Sequence, residues 1–398
     1  MGRWKFKNNN KDLDQLEKFG RMRSRSSKSK DSKTDLKDTF IIEETTWPGK
    51  SEGFAARVVE VHKRYCFVSR EDELGKVNTK DVWLGRVARR YLTAQRTERN
   101  FVSVGDRVFC LPAQEDTVES TDDLPQCVVE FRAPRSSKIS RIDPLLADRE
   151  HVLASNVDQL LIVSSFLSPR VKWGLIDRYL VLAESQRIEP IIILNKRDLL
   201  EEKALDQPEF VATCKDRLGY YRRLGYKVFV LEAICDDAGD EVEFGKLANL
   251  LKDKISIFSG HSGVGKSSIV NLFDSEIVQE VEPDSDIFYK GRHTTSYASF
   301  IKLGTGGYVI DTPGIRSFMI HQESAIELSY GFIDIRRFSS KCKFRECRHV
   351  DEPGCEVIVA VEQDEIAEWR YKNYVGILEG TTGREGRVRD IEQKEKGS

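Results

Sequence analysis

The chain has 398 residues, 39% hydrophobic and 32% charged, with a net charge of −2. That length suits two or three domains, and the charge balance excludes a polycation as a whole. No apolar run approaches the roughly 20 residues of a membrane helix, and MGRWKFKNNNKDLDQ, which carries Asp12, Asp14 and Glu17, resembles neither a secretory leader nor a transit peptide, so a cytoplasmic protein with no membrane partner is expected.

Residues 1–50 read as a basic, flexible N-terminal arm with the run RMRSRSSKSK at 21–30. Two readings of that run stay open and are compatible: a solvated tail, and an arm that neutralises nucleic-acid phosphates. Residues 51–135 change character. GFAARVVEVH (53–62), KRYCFVS (63–69), DVWLGRVA (81–88), DRVFCLP (106–112) and QCVVEFRA (126–133) are short and β-rich, separated by Gly, Asp and Asn turns. They predict a small β-barrel of the OB or SH3-like kind. Such a barrel can be purely structural; Arg86, Arg89, Arg90, Arg96 and Arg99 favour an oligonucleotide-binding face. RAPRSSKISRID (132–143) reads as a basic connector.

Residues 136–322 alternate strand and helix. VDQLLIVSSF (157–166) is a continuous apolar run, suited to a strand covered on both faces. Trp173, Ile176, Leu180 and Ala183 then recur at helical spacing. EPIIILN, a helix around 209–224, YKVFVLEA, a helix around 243–253 and KISIFSG follow; SYASFIKL and YVIDTPG form a strand pair about a Gly turn. The alternation predicts a multidomain α/β protein with a largely parallel, doubly wound sheet.

Four motifs in this region carry chemistry. Gly260, His261, Ser262, Gly263, Val264, Gly265, Lys266 and Ser267 satisfy G-x-x-x-x-G-K-[ST], between an apolar strand and an amphipathic helix that continues through Ser268. The glycines let backbone amides turn inward around phosphate oxygens, and the helix N-terminus adds partial positive charge. Lys266 would reach the β and γ phosphates and Ser267 would hold Mg²⁺. VIDTPG (309–314) brings Asp311 toward that ion and offers the Gly314 amide to the γ phosphate. Between them lies KGRHTTS (290–296), where Thr294 or Thr295 would complete the Mg²⁺ shell only while the γ phosphate is present, making a switch.

Asn195, Lys196, Arg197 and Asp198 (NKRD) decide the base. A carboxylate accepts from both N1–H and the 2-amino group of guanine, and adenine offers neither in that arrangement. Asn195 would support the loop and the Lys196 stem would pack over the ring. The ligand expected is GTP or GDP. The motif order is base clamp, cradle, switch, DTPG. Loops at the carboxyl ends of parallel strands form one crevice whatever their order in the chain, so the site survives permutation.

Past 322 the chain reads as a helical, charged domain (323–398) with a frayed C-terminus. Cys342, Cys347, His349 and Cys355 form C-x4-C-x-H-x5-C, enough for one closed, structural Zn²⁺ site. The surrounding RRFSSKCKFRECRH is basic with Phe338 and Phe344 interleaved, which favours RNA contact over a bare structural knob. Cys66, Cys110, Cys127, Cys214 and Cys235 read as buried free thiols in a reducing compartment.

The order NKRD, GHSGVGKSS, GRHTT and DTPG, followed by CKFRECRHVDEPGC, resembles the ribosome small-subunit-dependent GTPase family (RsgA, also called YjeQ). The similarity runs from about residue 53 to 375 and takes in ASNVDQLLIV (154–163) and IDRYLV (176–181). It implies an OB-fold, a circularly permuted P-loop GTPase domain and a zinc-bearing C-terminal domain. It also implies a late role in maturation of the small ribosomal subunit, with the subunit and its rRNA as partners and as stimulus for hydrolysis. No DNA partner is expected, and a monomer is. Glu232 stands where the family commonly has Ser before a base-contacting Ala, here Ala233, whose amide would meet guanine O6.

Hydrolysis would proceed by in-line attack of water on the γ phosphate, with Mg²⁺ and Lys266 stabilising the developing charge. Ile315 occupies the place of a water-positioning Gln, so slow intrinsic turnover is expected and His293 is the candidate to position water. Two rival readings are a GTP-binding RNA scaffold that scarcely hydrolyses, and a P-loop kinase or ATPase, against which Asp198 stands.

Overall fold

The computed structural model of the protein describes residues 40–49, 51–92, 100–113, 124–143, 146–203, 205–234, 237–238, 241–275, 299–304, 306–311 and 325–380. The chain forms two compact units, Met1–Asn156 with Phe273–Gly304 and Tyr308–Pro313, and Val157–Leu272 with Thr305–Gly307 and Gly314–Ser398.

In the first unit, β1 (Phe54–Val61), β2 (Cys66–Glu71), β3 (Val77–Val87), β4 (Arg107–Pro112) and β5 (Gln126–Arg132) close into a barrel. The order is β1–β2–β3–β5–β4 and back to β1, antiparallel throughout except for the parallel pair β3–β5. This is the five-stranded OB arrangement. Alternate residues point inward, so Phe54, Ala56, Val58, Cys66, Val68, Val108, Cys110, Cys127 and Val129 fill the interior. Irregular register at Val58/Glu60, Ser69/Glu71 and Phe109/Cys110 marks where strands bend to close the barrel.

Two expectations change here. The flexible arm was to extend to residue 50, yet residues 40–49 are docked on the barrel. Phe40 is buried against Tyr91 of α1 (Arg89–Leu92) and Phe101, with ring centroids 4.7 and 5.5 Å away. Ile42 donates to the Arg132 carbonyl, Glu44 pairs with Arg107 at 2.5 Å, and Trp47 packs on Phe109. The apolar residues in this stretch outweigh the charge of the segment before it. The supposed connector also contains a strand: β6 (Lys138–Asp143) pairs with β7 (Leu146–Ser155) as an antiparallel hairpin. Its basic residues disguise the alternation that buries Ile139, Val152 and Ala154. Asp106 ties hairpin to barrel, accepting from Arg135 and from the Ser155 hydroxyl, each at 2.7 Å.

The second unit begins with β8 (Gln159–Ser165), α2 (Trp173–Gln186), β9 (Glu189–Asn195), α3 (Arg197–Glu202), α4 (Pro208–Arg223) and β10 (Lys227–Val230). The two-residue strands β11 (Ala233–Ile234) and β12 (Asp237–Ala238), then α5 (Glu241–Leu251), β13 (Ile255–Ser259) and α6 (Lys266–Ser275), complete its α/β half. Strands β10–β9–β8–β13 lie in that order and all run parallel. Ile191, Ile192, Ile193 and Leu194 are all fully buried, as a strand covered on both faces requires. Helix α2 buries Trp173, Ile176, Leu180 and Ala183, the four residues at helical spacing. The chain then returns to the first unit with the antiparallel pair β14 (Ser299–Lys302) and β15 (Tyr308–Asp311), where Ser299 is paired with Glu60 of β1.

The C-terminal helices α7 (Ala325–Gly331), α8 (Ile333–Ser339), α9 (Glu356–Glu362) and α10 (Glu368–Leu378) pack onto α2 around Val181, Leu328, Phe332, Ile335, Val357 and Tyr374. No helix among the described residues is long and apolar enough to cross a membrane.

Candidate nucleotide site and metal centre

The chain leaves the end of β13 at Gly260 and enters α6 at Lys266, so the intervening loop curls at the carboxyl edge of the parallel sheet. Gly260 and Gly265 have φ of +145° and +94°. A Cβ on Gly260 would stand 2.0 Å from the Val163 carbonyl oxygen, and one on Gly265 would stand 2.1 Å from Asn195 Nδ2. Neighbouring backbone and side chain thus leave no room for anything but glycine, beyond the conformational preference. Lys266 Nζ donates to the carbonyls of Gly260 and His261 at 2.9 and 2.8 Å, which holds the ammonium over the loop. Val264 is buried, whereas His261, Ser262 and Gly263 are exposed on the rim. Ser267 and Ser268 lie in the first turn of α6, where unpaired backbone amides favour an anion.

The base clamp stands beside this cradle. Asn195 ends β9, Lys196 takes the left-handed conformation (φ 62°), and α3 starts at Arg197 with Asp198 in its first turn. The buried Asn195 amide donates to the Val264 carbonyl at 3.0 Å, joining clamp to cradle across 69 residues of sequence. Asp198 Oδ1 is buried without a hydrogen-bond partner among the described residues. An orphaned carboxylate oxygen in a polar loop is costly unless a donor arrives. Arg197 faces Glu201 at 3.3 Å and Glu232 at 3.7 Å, so Glu232 is engaged with the clamp helix. The Arg197 backbone amide donates to the Leu231 carbonyl at 3.2 Å, which ties the clamp to the segment leading into Ala233. Lys196 Nζ donates to the Ser168 carbonyl in the turn after β8, a partner that no motif signals.

Asp311 is the last residue of β15, in the first unit. His293, Thr294, Thr295 and Gly314 lie outside the described residues, as do Arg96, Arg99 and Cys235. Arg86 and Arg89 are exposed on the barrel, and Cys66, Cys110, Cys127 and Cys214 are buried free thiols. Burial pushes the Cys214 thiol up to about 11 and raises the barrel thiol of Cys110 well above its usual value, so these two cysteines are packing residues.

The metal candidates do converge. The ligand atoms of Cys342, Cys347, His349 and Cys355 lie within 4.8 Å of one another. His349 Nδ1 is 3.5 Å from the sulfurs of both Cys342 and Cys355, and those sulfurs are 3.9 Å apart. A tetrahedron with Zn–S near 2.3 Å and Zn–N near 2.05 Å has edges of about 3.8 and 3.6 Å, so the donor set fits a zinc-sized ion. Cys342 follows α8, Cys355 caps α9, and α10 braces the loop between them. The hydroxyls of Tyr371 and Tyr374 donate to the carbonyls of His349 and Arg348 at 2.7 and 2.8 Å. Glu352 accepts from the amides of Arg348 and Val350 at 2.8 and 3.0 Å. Outside the loop, Lys341, Lys343, Phe344, Arg345 and Arg348 are exposed, and Lys343 approaches the Phe344 ring at 5.6 Å.

A phosphate cradle and a guanine clamp, bonded together at the ends of a parallel sheet but reversed in chain order, define a P-loop GTPase with permuted motifs. A family profile described as RsgA GTPase matches residues 132–321. The small ribosomal subunit biogenesis GTPase RsgA of Shewanella oneidensis is 40% identical over 311 residues, covering 78% of this chain and 81% of that protein. Among solved structures, YjeQ from Thermotoga maritima matches with a TM-score of 0.60 and 30% identity over 83% of this chain and 99% of its own. YloQ, described as a circularly permuted GTPase, matches with a TM-score of 0.59 and 28% identity, over 84% and 97%. The chain belongs to the RsgA family of GTPases, and its chemistry is the hydrolysis of GTP to GDP and phosphate.

Proposed function

We propose that this protein hydrolyses GTP on the small ribosomal subunit, late in the subunit's maturation, and that contact with the subunit accelerates turnover. The observation that carries the reading is the bond from Asn195 to Val264, which seats the guanine clamp against the cradle while Asp198 keeps a buried oxygen without a partner among the described residues. The name of the Shewanella oneidensis relative supports the choice of subunit.

In this reading the working parts are a basic N-terminal arm that ends where residues 40–49 dock, an RNA-binding barrel (51–135) with its β6–β7 hairpin, the GTPase domain that follows the hairpin and a zinc-bearing domain (323–398). Gly260 to Ser268 cradle the phosphates, Lys266 stabilises charge developing on the γ phosphate, and Asn195 to Asp198 with Ala233 hold the base. Ser267, Thr295 and Asp311 offer the hard oxygen donors that suit Mg²⁺; when bound, that ion neutralises phosphate charge. Gly314 senses the γ phosphate, and His293 positions the attacking water. Cys342, Cys347, His349 and Cys355 hold Zn²⁺ as a closed structural site, presenting Lys341, Lys343, Phe344, Arg345 and Arg348 to rRNA phosphates and bases. The protein works as a cytoplasmic monomer on RNA, not on DNA.

The test is phosphate release from GTP and ATP measured with purified small subunits, large subunits and neither. The expected result is guanine-selective hydrolysis that only small subunits accelerate. Equal rates in all three conditions would overturn the reading, and GTP binding without turnover in any of them would favour a scaffold.

A further inference from the structure

Strand β8 lies between the clamp strand β9 and the cradle strand β13, with Ser165 in register with Asn195. Its carboxyl end therefore opens between the two loops that hold the nucleotide. The turn that follows, Phe166–Arg170, carries no nucleotide motif, yet it is anchored from three sides. The fully buried Ser165 hydroxyl donates to the Pro169 carbonyl at 2.7 Å. The Phe166 amide points to the Asn195 carbonyl at 3.4 Å, and the Val171 amide returns to the Phe166 carbonyl at 3.1 Å. On its outer side the Ser168 carbonyl accepts from Lys196 Nζ. Toward the cradle, a side chain built at Gly263 would meet Pro169 Cδ first, at 3.8 Å.

Lys196 is the clamp residue whose stem covers one face of the base. A lysine side chain has four rotatable bonds and pays entropy to be held in one pose. A carbonyl fixed by the fold removes much of that cost before ligand arrives, which is pre-organisation. We propose that the turn after β8 is a third wall of the nucleotide site, in which Ser165 is a positioning residue: its hydroxyl sets the turn, and the Ser168 carbonyl holds Lys196 in its base-covering pose. The inference rests on the guanine-site reading above and adds the element that spaces clamp from cradle. Because the turn acts on the base side, GTP and GDP depend on it equally.

The experiment is a double-mutant cycle in the full-length chain, Ser165→Ala with Lys196→Met, read by titration of GTP and GDP, with Asp198→Asn alongside and thermal unfolding as the folding control. Losing one positioned hydrogen bond is worth about three- to ten-fold in affinity. Ser165→Ala should weaken GTP and GDP by the same factor in that range, and it should have no further effect once Lys196 is Met. Should Ser165→Ala not fold, Pro169→Ala enters the same cycle. Multiplied effects in the double variant, or affinities within about 1.5-fold of the parent, would overturn the third wall while Asp198→Asn still weakens GTP. An Asp198→Asn variant that binds GTP as the parent does would instead overturn the guanine site, and this inference with it.

Discussion

The Asn195 amide donates to the Val264 carbonyl at 3.0 Å, and the space it occupies is the space a Cβ on Gly265 would need. Clamp and cradle are therefore one packed object. Gly265→Ala combines a positive-φ penalty with a clash 2.1 Å from Asn195 Nδ2. Costs of about 1–3 kcal/mol for each predict a loss of guanine-nucleotide affinity on the order of 100-fold. Gly245→Ala, where nothing stands within 4 Å in helix α5, should leave affinity intact and stabilise the chain by about 0.5–1 kcal/mol. Titration with a fluorescent GDP analogue distinguishes the two variants.

Asp198→Asn tests base selection. The variant replaces an acceptor of two hydrogen bonds by a group that places a donor opposite a donor. A site built to pair such groups rejects mismatched analogues by large factors, so GTP should weaken by about 100-fold or more. Xanthosine triphosphate, with an oxygen in place of the 2-amino group, should gain. Competition between the two nucleotides on one protein sample reads the switch directly, and an unchanged GTP preference would remove Asp198 from the base site.

Much of this was legible in the sequence because the informative signals are local. Glycines at 260 and 265, an apolar strand before them and Asn-Lys-Arg-Asp at the end of IIIL need only neighbours to be read. The barrel was legible for the same reason, as short alternating runs between turns. What escaped detection was hidden by charge or depends on a partner distant in the chain. The basic residues of Lys138–Asp143 mask its pairing with Leu146–Ser155, and Arg135 looks like a surface charge until Asp106, 29 residues earlier, faces it. The turn at Ser168 has no pattern because its function is a backbone carbonyl, which every residue has.

Asp106 predicts an acid limit to the first unit. Burial alone would raise its pKa, but Arg135 beside it, with help from Arg132 and the Ser155 hydroxyl, brings the carboxyl below the usual range. A folded-state pKa below the unfolded one stabilises fully above the unfolded value, about 3.9, and the contribution is lost as pH falls through the folded value. The barrel–hairpin joint should therefore hold above about pH 4 and weaken below it. Asp106→Ala should remove that acid dependence and cost about 3–5 kcal/mol by leaving buried guanidinium charge uncompensated. Denaturant unfolding at pH 7 and at pH 3 measures both effects.

The Cys342, Cys347, His349 and Cys355 cluster predicts one tightly held zinc ion per chain. Cys347 and Cys355 belong to the same buried cluster as Val357, Phe332 and Tyr374. Stripping the ion with a strong chelator should loosen the loop that Tyr371 and Tyr374 clasp, and cooperative folding of 325–380 should fail first. Elemental analysis gives the stoichiometry, and hydrogen exchange locates the loss. A chelated protein with unchanged protection in α9 and α10 would refute a structural role.

Arg370 decides how firmly the C-terminal helices are held to the nucleotide-binding half. It is completely buried, paired with Asp177 of α2, and 3.2 Å from Asp334 of α8, with its guanidinium 4.4 Å from the Phe332 ring centroid. Tyr221 and Asn373 donate to Asp177 at 2.5 and 2.6 Å, and Tyr220 donates to Asp334 at 2.9 Å, so the two carboxylates are shared among helices α2, α4, α8 and α10. Arg370→Ala strands both carboxylates in the interior, a loss of about 3–5 kcal/mol. Arg370→Lys should rescue little, because an ammonium cannot bridge two acids with a planar fork while stacking on an aromatic face. The cost should shrink sharply when Asp177→Asn and Asp334→Asn accompany Arg370→Met, since the penalty comes from unpaired charge and not from lost volume. Hydrogen exchange should show α10 opening first in Arg370→Ala while the β6–β7 hairpin keeps its protection. A variant within 0.5 kcal/mol of the parent would mean that the buried charges contribute nothing to the joint.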